Sequence, residues 1–236
     1  MARNLVDRLL QRLPRRAQIA ADWLIGIGVA VAVVLALRAW VVIPYAIPTP
    51  SMEPTLHCAP VGETNATPPS VSPQPGQIVS PSRPRAGVSA NGCQGSCPLG
   101  VCFSDRVLVN RFIFHLRSPH RGEVVAFEAP ERVARVCAPP ATSVLVKRLI
   151  GLPGDTVVEE RGIVSVNGER LDESYVKPDR RDARSGTWKV PAGRYFFMGD
   201  NRASSCDSRD WGTVPRGDLV GSVFFTYWPL NRISFR

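Results

Sequence analysis

The sequence predicts a mainly β protein preceded by a single transmembrane helix. An apolar run extends from Ile19 to Leu37. At a rise of about 1.5 Å per residue, a helix of this length spans roughly 30 Å, the thickness of a bilayer's hydrocarbon core. Beyond this run, short segments rich in Val, Ile and Phe alternate with Gly, Pro and Asn. This alternation is typical of strands joined by turns.

The flanks of the apolar run favour a retained membrane anchor. Trp23 and Trp40 lie near its two ends, as in an aromatic belt. A cleaved signal peptide is the alternative, but the run is long for one and no small-residue cleavage site follows it. Arginines precede the run at positions 3, 8, 12, 15 and 16. The positive-inside rule therefore predicts a cytoplasmic N-terminus at 1–18, an anchor at 19–40 and a body outside the cytoplasm.

The charge of the chain is explained by membrane topology. The formal net charge is +9 over 236 residues, and a basic protein can bind nucleic acid or an anionic membrane surface. Much of the positive charge precedes the apolar run, and no basic–aromatic stripe or nucleic-acid motif follows. We therefore expect a lipid bilayer in the plasma membrane as a partner, and no nucleic acid.

The body of the chain has many predicted strands and no predicted helix. Asn167-Gly168 is a strong signature of a two-residue hairpin turn, whereas the charged residues 172–189 are predicted as a loop. The predicted strands are 106–112, 122–127, 143–150, 156–160, 163–166, 169–171, 194–198 and 222–228.

The cysteines indicate an oxidising compartment if the body is exported. The chain has six, and disulfides are the expected state outside the cytoplasm. Residues 57–103 form a long proline-rich loop that carries Cys58, Cys93, Cys97 and Cys102. Zinc binding by these cysteines and His57 is the alternative, but their spacings are not the usual ones. The sequence alone does not decide the pairing.

Ser51 is a candidate nucleophile. Pro48, Pro50 and Pro54 stiffen the chain around it, and a nucleophile needs a hydroxyl held in one place. A proline-rich linker beyond an anchor is the alternative interpretation. A serine also needs a base, and no Ser/His/Asp signature surrounds any serine of the chain.

Lys147 is a candidate for that base. In a strand, Leu145, Lys147 and Leu149 share one face, so the ammonium is expected to lose water. Desolvation lowers the pKa of a lysine, and a lysine with a lowered pKa can act as a general base. The alternatives are a lysine that extends its ammonium to solvent and a lysine paired with a carboxylate.

Residues 199–212 are dense in hydroxyls, carboxylates and guanidiniums directly after an apolar strand. Such groups build hydrogen-bonded networks that fix their neighbours. A calcium loop is the weaker interpretation, because the EF-hand spacing is absent and arginines lie inside the segment. Its ligands would be Asp200, Asn201, Asp207 and Asp210.

Several motifs in order resemble those of bacterial type I signal peptidases, also called leader peptidases. Each motif alone is moderately specific, and their order after a membrane anchor is much more so. The similar segments are Ser-Met-Glu-Pro-Thr-Leu at 51–56, residues 105–112, Arg-Gly-Glu-Val-Val at 121–125, residues 146–155, Gly-Asp-Asn-Arg at 199–202 and Asp-Ser-Arg-Asp-Trp-Gly at 207–212.

The resemblance implies a serine endopeptidase with a serine–lysine dyad and no cofactor or metal. Its substrates would be exported preproteins, cut after a signal peptide with small residues at the first and third positions before the cut. Ser51 would attack the scissile carbonyl and Lys147 would take its proton. Ser205 would orient the lysine, and Thr49 would contribute to the oxyanion hole with the Ser51 backbone N–H.

The resemblance also implies the ion pairs, the fold and the mode of substrate binding. Asp200 with Arg148, and Asp207 with Arg209, would brace the site. An antiparallel β catalytic core at 41–157 and 193–236 would carry a smaller β insertion at 158–192, and substrate would bind as an added strand.

Two departures from the family pattern accompany the resemblance. The cysteine-bearing loop is long for the family. Cys206 stands where a small residue is common, and it either pairs with Cys137 or remains a small buried thiol.

Two other functions remain as alternatives at this point. A related serine–lysine peptidase could process conjugation or pilus proteins. A catalytically inactive, anchored β module could instead bind extracellular partners through its cysteine loop.

Overall fold

The computed structural model describes residues 14–58, 103–137 and 143–236. The chain divides into two compact units, residues 1–43 and 44–236. Helix α1 (Arg15–Trp40) dominates the first unit, and its segment Arg15–Leu35 is long and apolar enough to cross a membrane by length and composition. The predicted basic N-terminus up to residue 13 and most of the predicted cysteine loop, residues 59–102, lie outside the described residues.

The second unit is mainly β, as predicted. Its larger sheet has eight strands in the order β1-β2-β11-β3-β4-β9-β10, with β12 paired to β11. The described pairs from β2 to β10 are antiparallel. The strands are β1 (Val42–Ala46), β2 (Arg106–Asn110), β3 (Val124–Glu128), β4 (Val144–Gly151), β9 (Arg194–Met198), β10 (Val214–Pro215), β11 (Leu219–Trp228) and β12 (Ser234–Phe235).

A smaller antiparallel sheet has four strands in the order β7-β6-β5-β8. It comprises β5 (Thr156–Glu160), β6 (Ile163–Val166), β7 (Glu169–Arg170) and β8 (Gly186–Lys189). Asn167 and Gly168 connect β6 to β7 with φ of 53° and 87°, which is the backbone of the predicted hairpin turn. The predicted insertion at 158–192 overlaps this sheet, and its boundaries stay a prediction.

Two local predictions were wrong. Strand β8 lies inside the segment predicted as a loop, because pairing of Thr187 and Trp188 with β5 outweighs the polar composition of their neighbours. One-turn helices also follow the anchor, namely α2 (Ile113–Leu116), α3 (Val133–Val136) and α4 (Ser208–Trp211). Helix α4 begins with a capping box between Asp207 and Asp210, a pattern that favours a helix start.

The core packed against the larger sheet holds β4, which carries Lys147, and β9, which runs into the polar residues 199–212. Phe127 of β3 stacks on Phe197 of β9 with ring centroids 4.5 Å apart, and Trp211 of α4 lies 5.9 Å from Phe127. Leu149 of β4 and Phe127 are completely buried in the same cluster. Strand β4 pairs with β3 over Val144–Arg148 and with β9 over Arg148–Gly151, so both neighbours fix its position in the sheet.

Candidate active site

Ser51 lies in a single 3₁₀ turn, Pro50–Met52, directly after the extended residue Thr49. The Asn201 backbone N–H donates to Ser51 O at 3.0 Å, and the Asn201 side-chain amide donates to Pro50 O at 3.1 Å. Met52 is buried in the core. The serine hydroxyl is therefore carried by a backbone that is held on both sides.

Gly199 allows the polar segment to approach Ser51 closely. A Cβ atom at residue 199 would lie 2.3 Å from Ser205 Oγ and 2.4 Å from Ser51 O. These distances are far inside van der Waals contact, and one of the atoms is backbone. Only glycine can therefore occupy position 199 without displacing the two serines.

Thr49 is close to the hydroxyl of Ser51. Thr49 Oγ1 lies 3.2 Å from Ser51 Oγ, and either oxygen can be the donor. The turn thus presents two hydroxyl groups side by side at one point of the chain.

Lys147 of β4 is buried, as its position between two leucines predicts. Only 4% of its surface is exposed, and its Nζ donates to Ser205 Oγ at 3.1 Å. Burial lowers the pKa of Lys147 from 10.5 to about 8, although the carboxylate of Asp207 raises it. The lysine is therefore partly uncharged near pH 8.

Ser51 and Lys147 face one apolar cleft with a volume of about 360 Å³. The hydrogen bond that the structure gives Lys147 goes to Ser205, and the cleft brings the lysine and Ser51 to one surface. Besides these two residues and Thr49, its lining includes Tyr45, Ala46, Ile47, Val133, Cys137, Val144, Leu145, Val146, Ser204 and Cys206.

Arg148 and Asp200 form the first of the two expected ion pairs. Arg148 Nε donates to Asp200 Oδ1 at 2.7 Å and Nη2 donates to Oδ2 at 2.6 Å, a bidentate geometry that fixes both planes. The Arg148 guanidinium also lies 3.9 Å from the centre of the Tyr175 ring. Burial raises the pKa of Tyr175 to about 12.

Asp207 and Arg209 form the second ion pair. Arg209 Nε and Nη2 donate to the two oxygens of Asp207 at 2.8 and 2.9 Å. Asp207 Oδ2 also accepts from the Gly199 backbone at 3.0 Å. Burial would raise the pKa of Asp207, but hydrogen bonds and charge from Arg209 hold it below its usual value. The contacts of Asp200 and Asp207 use the oxygens that a calcium site would need.

Arg209 also connects the site to the smaller sheet. Its Nη1 contacts Glu159 of β5 at 3.1 Å and Asp182 at 2.8 Å. The side chains of Arg209 and Glu159 are both fully buried. A charged bridge therefore runs from Asp207, near Lys147, to a strand of the second sheet.

Residues 96–228, more than half of the chain, match the family described as "Signal peptidase, peptidase S26". The chain belongs to this signal peptidase family. The matched segment contains Lys147, Ser205 and both ion pairs, and it begins after Ser51.

Several relatives carry signal peptidase names. The chain is 37% identical over 131 residues to "Signal peptidase I" of Leptolyngbya laminosa, covering 56% of this chain and 64% of that one. It is 40% identical over 131 residues to "Probable signal peptidase I-2" of Synechocystis sp., covering 56% and 58%. It therefore spans less than two thirds of the length of these two relatives. "Signal peptidase I P" of Bacillus subtilis subsp. natto is 37% identical over 140 residues, covering 55% and 71%.

A solved structure also matches this member of the signal peptidase family. It is a signal peptidase I from Enterococcus faecalis V583 with 31% identity and a TM-score of 0.38. The match covers 45% of this chain and 97% of that one.

The structure of this signal peptidase family member places all eight predicted site residues at the cleft or in contacts next to it. Ser51, Thr49 and Lys147 line the cleft, Ser205 is bonded to the lysine, and both ion pairs are present. Their catalytic roles stay predictions.

The structure also resolves one open alternative and adds residues that the sequence did not point to. Cys206 pairs with Cys137 rather than remaining a thiol. The contacts of Gly199 with both serines, and those of Arg209 with Glu159 and Asp182, were not predicted. Glu159 and Asp182 are far from residues 199–212 in sequence, and no local pattern marks them.

Proposed function

We propose that this chain is a membrane-bound signal peptidase that hydrolyses the peptide bond after the signal peptide of exported preproteins. The observation that carries the proposal is the lysine at the cleft. A buried amine with a pKa of about 8 shares the cleft with a serine whose backbone is fixed. A serine hydroxyl requires a neutral base to become a nucleophile, and neutral Lys147 can supply one.

The reaction begins with attack of Ser51 Oγ on the scissile carbonyl carbon while Lys147 Nζ accepts the hydroxyl proton. The lysine then donates this proton to the leaving amine, which releases the mature protein and leaves an acyl-enzyme. Water, deprotonated by Lys147, then attacks the ester carbonyl. The bond to Ser51 Oγ breaks, the lysine returns the proton to this oxygen, and the signal peptide is released with a free carboxylate. Ser205 Oγ orients the amine throughout by accepting its hydrogen bond. Catalytic hydrogen bonds often shorten only when substrate is bound, so the serine–lysine contact is expected to tighten at that stage.

The negatively charged oxygen of the tetrahedral intermediate must be stabilised by hydrogen-bond donors. The Ser51 backbone N–H and the Thr49 hydroxyl are assigned to this role, and Thr49 Oγ1 already lies beside Ser51 Oγ. One such donor contributes about 2.7–4 kcal/mol to transition-state stabilisation. Gly199 lets the two serines lie close together. Asp200 and Asp207 hold Arg148 and Arg209 in place through their ion pairs.

The preprotein binds as an extended strand along the cleft, where its backbone can pair with exposed chain edges. Residues 45–47 and 144–146 line this cleft with apolar side chains, which suits small uncharged side chains before the cut. Helix α1 anchors the enzyme in the plasma membrane, with the N-terminus in the cytoplasm and the catalytic unit outside. Preproteins that emerge from the export machinery would then meet the enzyme at the bilayer.

The proposal is tested with detergent-solubilised full-length protein and a preprotein that carries an Ala-x-Ala site. The wild type is expected to cut after the second Ala, and Ser51→Ala is expected to abolish cleavage while circular dichroism stays unchanged. N-terminal sequencing of the product separates signal-peptide removal from processing at another type of site. Near wild-type turnover by the folded Ser51→Ala variant, or no cleavage by the wild type, would rule the proposal out.

Gly199→Ala is expected to lower kcat by about 10²-fold, because a misplacement of about 1 Å in a catalytic group has an effect of this size. The new Cβ must displace Ser51 O or Ser205 Oγ. The measurement is steady-state cleavage of the same preprotein. Gly217→Ala is the matched control, since a Cβ at position 217 meets nothing within 4 Å. Equal rates for the two variants would contradict the role given to Gly199.

A further inference from the structure

A disulfide connects two segments of the catalytic unit at the cleft. Cys137 follows helix α3, and Cys206 lies between Ser205 and Asp207 along the chain. Their Cα atoms are 6.2 Å apart across a sequence separation of 69. Both cysteines line the same cleft as Ser51 and Lys147. A covalent bond is thus located next to the residue that accepts the lysine's hydrogen bond.

Backbone hydrogen bonds hold the chain on either side of Ser205 and Cys206, and the described part of the chain gives none to these two residues. Before them, Ser204 N donates to Asn201 O at 3.0 Å. After them, Asp207 begins α4 and accepts from Gly199 and Arg209. Among the described residues, no backbone hydrogen bond involves Ser205 or Cys206. The disulfide and the hydrogen bond from Lys147 to Ser205 are therefore the two bonds that hold this stretch directly.

The other end of the disulfide reaches the core through one buried residue of a short helix. Val133 of α3 is 4% exposed and belongs to the core cluster that contains Trp211 of α4. The Cys137 backbone N–H donates to Val133 O at 2.9 Å. Cys137 and Cys206 themselves pack against this cluster. The bond therefore ties the stretch that lacks backbone hydrogen bonds to a short helix, which Val133 joins to the core.

We propose that the Cys137–Cys206 disulfide is a positioning element of the active site, holding Ser205 Oγ against Lys147 Nζ, so that peptidase activity requires the oxidised bond. This inference rests on the proposed function and adds a condition to it. The extracytoplasmic side of the membrane, where the catalytic unit is expected, maintains such bonds.

Reduction of the Cys137–Cys206 disulfide is expected to affect Lys147 through its hydrogen-bond partner Ser205. A dithiol reductant delivers two electrons and two protons, which yields two cysteine thiols and the oxidised cyclic disulfide of the reductant. Ser205 and Cys206 then lose their covalent tie, and Ser205 no longer keeps one orientation towards the amine. Water that enters beside Lys147 favours the ammonium form, so less of the enzyme carries a competent base at neutral pH.

The first test compares the oxidised wild type with Cys137→Ala, Cys206→Ala and the double variant in preprotein cleavage. Each is expected to lose about 10²-fold in kcat, with KM changed less than about threefold because the lost interaction acts on the reacting groups. The single and double variants should be equally impaired, since each change breaks the same bond. The pH of half-maximal rate should move upward. Ser174→Ala, which removes an exposed hydroxyl that does not line the cleft, is the control and should keep the wild-type profile.

The second test uses the folded wild type and does not depend on how the variants fold. Dithiothreitol treatment is followed by activity, and alkylation with mass spectrometry reports which cysteines are reduced. Activity is expected to fall in step with alkylation of Cys137 and Cys206 and to return on reoxidation.

The outcomes separate the inference from the proposed function. If the oxidised wild type does not cleave preprotein, the proposed function fails. If it does cleave, three results overturn the positioning role: a double variant with wild-type kcat and pH profile, a change confined to KM, or full activity when Cys137 and Cys206 are both alkylated.

Discussion

Replacing Lys147 by methionine is expected to lower kcat for preprotein cleavage by about 10⁴-fold, the upper end of what a general base contributes. Methionine keeps an unbranched side chain of similar length that packs easily, so the 4% exposed position stays filled. What disappears is the atom that accepts the proton of Ser51. The measurement is single-turnover cleavage with the enzyme in excess over preprotein.

Two further variants separate the loss of the base from a loss of charge or of folding. Lys147→Arg retains a cation, but a guanidinium does not deprotonate in proteins, so it is expected to be as inactive as Lys147→Met. Lys189→Met removes an exposed lysine from β8 and should cleave at the wild-type rate. Retention of more than about a tenth of the activity by Lys147→Arg would show that no neutral amine is needed at this position.

The sequence indicated the lysine because the local rule and the structure agree there. Period-two alternation placed Leu145, Lys147 and Leu149 on one face, and the regular antiparallel pairing of β4 with β3 preserves that alternation. The prolines around Ser51 made it a candidate nucleophile, but a proline-rich linker stayed the alternative until the order of the motifs was considered. In both cases the local segment marks the residue, whereas one of its hydrogen-bond partners comes from residues 199–205.

Features that depend on two distant segments were harder to predict. The ion pairs of Arg209 with Glu159 and Asp182 connect the site to the smaller sheet. No local sequence pattern identifies either acidic residue as a partner of Arg209. The pairing of Cys137 with Cys206 stayed open because spacing does not select a partner. The close approach of Gly199 to Ser51 depends on a contact between segments almost 150 residues apart in sequence.

Lowering the pH is expected to reduce the kcat/KM of the wild type as strongly as a severe mutation does. The pKa of Lys147 is lowered from 10.5 to about 8, and the base acts in its neutral form. Below pH 8 the neutral fraction falls about tenfold per pH unit, so kcat/KM should decrease by about 10³-fold between pH 8 and pH 5. Above pH 8 it should level off. A lysine with its ordinary pKa would let the rate rise until about pH 10.4, and such a profile would contradict a desolvated base.

The cause of the lowered pKa can be tested by removing the apolar cover of the amine. Leu149 is fully buried on the same face of β4 as Lys147, and Ile150 is fully buried on the opposite face. Leu149→Ala and Ile150→Ala delete equal volumes and should lower the free energy of unfolding by about 2–5 kcal/mol each. Because burial is the largest cause of the shift, only Leu149→Ala should move the pH of half-maximal rate upward, towards the ordinary lysine value. An equal displacement by Ile150→Ala would assign the effect to general loosening of the core rather than to water beside Lys147.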